Sequence, residues 1–65
     1  MRAEINIDNL KKEMMVLCLS QLELAVLCGV ERSTISKLFK AQTITPNLLK
    51  RISNALNISP ERILK

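Results

Sequence analysis

The sequence predicts a single all-α domain of five short helices. Apolar residues recur at helical spacing almost throughout its 65 residues, and no long stretch alternates as a half-buried strand does. With one Gly and two Pro in the chain, the connections must be short turns.

Ile7, Leu10, Met14 and Leu17 share one helical stripe, predicting a first helix over Ile7 to Cys18 capped by Asn6 or Asp8. Ser20-Gln21-Leu22-Glu23 has the form of a capping box, in which the Ser hydroxyl and Glu carboxylate take free backbone N–H groups. A second helix therefore begins at Gln21, and it stops at Gly29, which enters the left-handed conformation without steric cost. The third helix, Arg32 to Lys40, keeps Ile35, Leu38 and Phe39 on one face and turns Ser33, Ser36, Lys37 and Lys40 the other way. Thr45 before Pro46 caps a fourth helix with a stripe of Leu48, Leu49, Ile52, Ala55 and Leu56. Ser59-Pro60-Glu61 repeats the device for a short fifth helix carrying Ile63 and Leu64.

A chain this short buries only about 60% of its unfolded surface and supports one small core, so residues 1–65 are read as one domain. Apolar residues at 48% and charged residues at 25% favour folding over disorder. The absence of His removes the commonest general acid/base, and so small a core leaves little room for a closed active site; no enzyme is expected. Apolar runs such as Met14 to Leu19 and Leu24 to Cys28 fall far short of the roughly 20 residues of a membrane span. Glu4, Asn6 and Asp8 precede any apolar run, which is wrong for a signal peptide and predicts a cytoplasmic protein. Cys18 and Cys28, without His, predict no metal site and no disulfide, only two reduced, mostly buried thiols.

Charge is uneven within a net +4. Met1 to Glu31 carries three basic and five acidic residues, for −2; Arg32 to Lys65 carries seven basic and one acidic, for +6. A polyanion partner or a solvated basic face would each account for this.

Two short helices joined by a tight Gly-containing turn, the second with a polar and basic outer face, describe a DNA-reading helix-turn-helix. Gln21-Leu-Glu-Leu-Ala25-Val-Leu-Cys-Gly29-Val30-Glu-Arg-Ser-Thr-Ile35-Ser36-Lys-Leu38 resembles the Cro/repressor-type (XRE) family and its lambda-repressor-like DNA-binding fold. Ala25 is small where the two helices would cross, Gly29 makes the turn, and Val30, Ile35 and Leu38 fill the crossing. With Thr45-Pro46, Ala55-Leu56 and Ser59-Pro60-Glu61, the resemblance runs from about Leu10 to Leu64, its motif spanning residues 21–40. Two positions depart from it. The family commonly has Gly where Ala41 stands, and a left-handed Ala would cost about 1 kcal/mol. It often has Arg where Met14 stands, so no phosphate contact is assigned there.

The resemblance implies a sequence-specific regulator of transcription, a repressor that binds double-stranded DNA as a homodimer at a near-palindromic operator, with no cofactor. It places Arg32 and Ser33 at base edges, Lys37 at a base or phosphate, and Gln21, Ser36, Lys40, Gln42 and Thr43 at phosphates. Glu31 reads as a helix-start cap. The C-terminal helix, with Ile63 and Leu64, is the expected dimer interface. Leu22 and Val26, with Met15 and Val16, fall off the core stripes and form a possible surface for the N-terminal segment, a second copy, or a protein partner such as a toxin or inhibitor. Ile44-Thr45-Pro46, Arg51 and Ser59-Pro60-Glu61 are also similar to HigA-type antitoxins, which bind a toxin and their own promoter.

Overall fold

Three of the four helices begin where a polar side chain takes a free backbone N–H, in a computed structural model that describes residues 2–65. Helix α1 (Ile7–Val16) is capped by Asn6, whose Oδ1 accepts from Asn9 N at 3.1 Å. Helix α2 (Gln21–Cys28) carries the full capping box: Glu23 N donates to Ser20 Oγ and Ser20 N to Glu23 Oε1, each at 3.1 Å. Helix α4 (Pro46–Leu56) starts at Thr45, whose Oγ1 accepts from Leu48 N at 3.4 Å. Helix α3 (Arg32–Ala41) has Glu31 at its N-cap position, as expected, but the Glu31 side chain makes no hydrogen bond to the helix.

Each helix ends on a left-handed residue, at Cys18 (φ 56°), Gly29 (φ 71°), Gln42 (φ 57°) and Asn57 (φ 55°). After α1, α2 and α4 the chain closes with the paired reverse bonds of a Schellman turn. Leu19 N donates to Met14 O, Val30 N to Ala25 O and Ile58 N to Ser53 O, at 2.8, 3.0 and 3.0 Å. After α3 a single bond from Gln42 N to Leu38 O does this at 2.9 Å. Ala41 stays helical and Gln42 takes the positive φ, so no left-handed Ala is needed.

One core joins all the elements, with Ile5, Leu10, Leu24, Ile35, Ile52 and Ile63 fully buried. Ile5 follows a short strand, β1 (Ala3–Glu4), antiparallel to β2 (Thr43–Ile44), with Ala3 opposite Ile44 and Glu4 opposite Thr43. Ile5 N donates to Gln42 O at 2.9 Å, and on the other side Asn6 N donates to Ile63 O at 2.8 Å and Lys65 N to Glu4 O at 3.2 Å. The N-terminal segment thus lies between the loop after α3 and the C-terminus.

Several expectations need correction. There are four α-helices, not five: Pro60–Ile63 is a 3-10 turn, because Leu64 is already extended at φ −94°, ψ 149° and too few residues remain for an α-helical ladder. The two strands were not expected, since two residues carry no alternation signal. Helix α1 stops at Val16 instead of Cys18, where the backbone turns left-handed, leaving Leu17 and the Cys18 thiol exposed. Ile63 points into the chain's own core, and Leu64 is half-buried and bridged to Ile5, so Ile63 offers no surface to a second copy.

A core of this size supplies at most about 5 kcal/mol, less than the penalty of an unpaired buried carboxylate. Ile63→Glu is therefore expected to unfold the protein, seen as loss of the helical circular dichroism signal; a folded variant would remove Ile63 from the core. The two thiols should also separate in reactivity. Cys18 is exposed, whereas burial pushes the Cys28 thiol up from its ordinary pKa, with Arg51 partly opposing this. Labelling with an aromatic disulfide in native buffer should modify one thiol per chain rapidly, mapping to Cys18, and the second only as the protein opens.

Candidate nucleic-acid interface

Interhelical packing sets which side of α3 meets solvent. Ala25 is 1% exposed, and its bare methyl lets α2 and α3 pack closely. Ile35 and Leu38 of α3 are buried and Phe39 is half-buried. At about 100° per residue, Ser33, Ser36, Lys37 and Lys40 then lie opposite, with Arg32 at the edge of that face. Arg32, Ser33, Lys37 and Lys40 are exposed and Ser36 is half-buried.

The turn before α3 is braced from behind. Arg51 of α4 donates from Nη1 to Cys28 O at 3.0 Å, satisfying a carbonyl at the end of α2 that the helix leaves without a partner. The same Nη1 would lie 3.4 Å from a Cβ placed on Gly29, at van der Waals contact, so it is the φ of +71° that favours glycine at this position.

Around this face the expected site residues come together unequally. Gln21, first in α2, accepts at Oε1 from Ser36 Oγ at 3.4 Å, linking the start of α2 to the middle of α3. Its amide N–H groups are then the ones available to an anion, next to the positive end of the α2 dipole. Ser33 donates to Glu31 Oε2 at 3.4 Å, so this base-reading candidate already has a local acceptor. Lys40 lies in the last turn of α3, while Gln42, at its C-cap, is exposed and Thr43, in β2, is half-buried. Thr43 Oγ1 accepts from Arg2 Nε at 3.1 Å. Leu22 and Val26, 54% and 70% exposed, lie on the solvent side of α2 with Leu27, away from its packing with α3.

A family model described as helix-turn-helix matches residues 18–63. The chain belongs to the Cro/repressor-type (XRE) helix-turn-helix family. Its α2–turn–α3 unit is the helix-turn-helix of a DNA-binding transcription regulator. No curated protein and no solved structure matches the chain. No helix among the described residues is long and apolar enough to cross a membrane. Likewise, no cluster of three or more His, Cys, Asp or Glu that could hold a metal is found among them.

Two arginines at this helix-turn-helix were not among the expected site residues. Arg51 lies on the outer side of α4 in the sequence pattern, and nothing in its spacing shows that it reaches the end of α2. Arg2 lies far from Thr43 along the chain and meets it only through strand pairing.

Arg51→Ala leaves the Cys28 carbonyl without its charged donor. The expected loss is about 1 to 2 kcal/mol in urea unfolding, with Arg51→Lys intermediate because a flexible ammonium replaces a pre-organised fork. Unchanged unfolding midpoints in both variants would show that the brace is unimportant.

Proposed function

We propose that this chain reads specific sequences in double-stranded DNA and represses transcription by occupying an operator, without catalysis and in the cytoplasm. The observation that carries this reading is the outward face of α3. Arg32, Ser33, Lys37 and Lys40 stand exposed on a helix whose opposite side is locked into the core. Arg32, in the first turn, can donate two hydrogen bonds to O6 and N7 of a guanine. Lys37, one turn further, reaches a base or phosphate; Gln21, Ser36, Lys40, Gln42 and Thr43 hold the strand.

One helix-turn-helix covers roughly 600 to 1,000 Å² and reads few base pairs, so we further propose that two copies bind a near-palindromic site. With Ile63 buried, the C-terminal turn contributes only Leu64 and its exposed neighbours to such a contact. The exposed apolar residues Leu22, Val26 and Leu27 favour a second reading, in which a protein partner such as a toxin covers this side of α2 and the chain acts as an antitoxin.

Selection of bound sites from random duplexes tests the main proposal. Arg32→Ala is expected to lose about 1 to 3 kcal/mol at one base pair of the selected site and relax preference there. Lys40→Ala is expected to weaken all sequences alike and lower the salt slope by about one. A site preference unchanged by Arg32→Ala would overturn the base-reading assignment. A partner that copurifies and competes with DNA would favour the antitoxin reading.

A further inference from the structure

We propose that Arg2 is an additional phosphate-binding residue, forming with Lys37 and Thr43 an anion cleft beside α3; this rests on the DNA-binding function proposed above. A cleft of about 250 Å³ opens between the N-terminal segment, α3 and the start of α4. Arg2 and Lys37 supply two cations to its lining, Thr34, Thr43 and Thr45 supply three hydroxyls, and no carboxylate is among the lining residues. Such a set of donors suits a phosphate oxygen cluster. Because Lys37 belongs to the outward face of α3, a strand lying along that face would pass the mouth of the cleft.

Arg2 is held in place, not left on a loose tail. Ile5, three residues on, is fully buried and bonded to Gln42 O, and Ala3 pairs with Ile44. Alternate residues of a strand share a face, which puts Arg2 with Glu4, and Glu4 stands opposite Thr43. The bond from Arg2 Nε to Thr43 Oγ1 fits this diagonal and orients the guanidinium. It uses one of five N–H donors, leaving both Nη groups to face an anion. Glu4 is the acid nearest in sequence, and it forms no ion pair with Arg2; among the described residues the ion pair is Arg62 with Glu13.

The test measures binding of the full chain to its selected duplex over a series of salt concentrations. Arg2→Ala is expected to weaken selected and unselected duplexes by the same several-fold factor and to reduce the salt slope by about 0.9, the value for one lost phosphate contact. Arg2→Lys should retain most of the slope. Arg62→Ala, which removes the same charge at the α1 side of the molecule, should leave the slope close to the parent's. Melting temperatures of the three variants, expected near the parent's, separate lost contact from lost folding. A parent that binds duplex DNA while Arg2→Ala matches it in affinity and slope would overturn the proposal and leave the function standing. A changed base preference in Arg2→Ala would overturn the phosphate assignment. A parent that binds no duplex would overturn the function and this inference with it.

Discussion

The left-handed turn at Gly29 is the constraint on which the functional face depends. It reverses the chain immediately after α2, and the bond from Val30 N back to Ala25 O closes it next to the buried methyl where α2 and α3 pack. A side chain at Gly29 would meet the torsional penalty of positive φ. With the turn fixed, burial of Ile35 and Leu38 leaves one orientation for α3, and its polar residues point outward as a consequence.

The other helix ends show how much of that rigidity comes from packing. Cys18, Gln42 and Asn57 adopt the same left-handed conformation with a Cβ present, each at an expense of about 1 kcal/mol. Bonds back into the helices and the burial of Leu10, Leu24, Ile52 and their neighbours offset that strain. Exposed ion pairing contributes little. The Arg62–Glu13 pair, at 3.8 Å with Arg62 largely exposed, belongs to a class worth less than about 1 kcal/mol. Arg32, Lys37 and Lys40 are left exposed on α3, with Arg2 beside Lys37 in the same cleft.

The N-terminal segment has a role out of proportion to its length. Running between the loop after α3 and the residues after the 3-10 turn, it ties the two ends of the chain together through Ile5 and its flanking backbone bonds. The same pairing supports the loop that holds Gln42 and Thr43, so the loop's shape and the position of Arg2 depend on one set of contacts. It also accounts for the burial of Ile63, which leaves the large exposed apolar side chains on the end of α1 and the outer side of α2.

The sequence by itself determined the helices α1 to α4, the caps at Ser20 and Thr45, a choice of Asn6 or Asp8 for the first helix, the turn at Gly29 and the inward and outward faces of α3. These features rest on interactions between residues a few positions apart, or on a periodicity that any window of the chain displays. Only the tertiary structure decided that Ile63 is core, that Gln42 takes the positive φ in place of Ala41, that Arg51 braces Cys28, and that Arg2 meets Thr43. In each of these the partner is distant along the chain or the competition is between neighbouring residues of similar local preference. Two-residue strands and a single guanidinium leave no periodic trace, and their energy appears only once the core has brought the segments together.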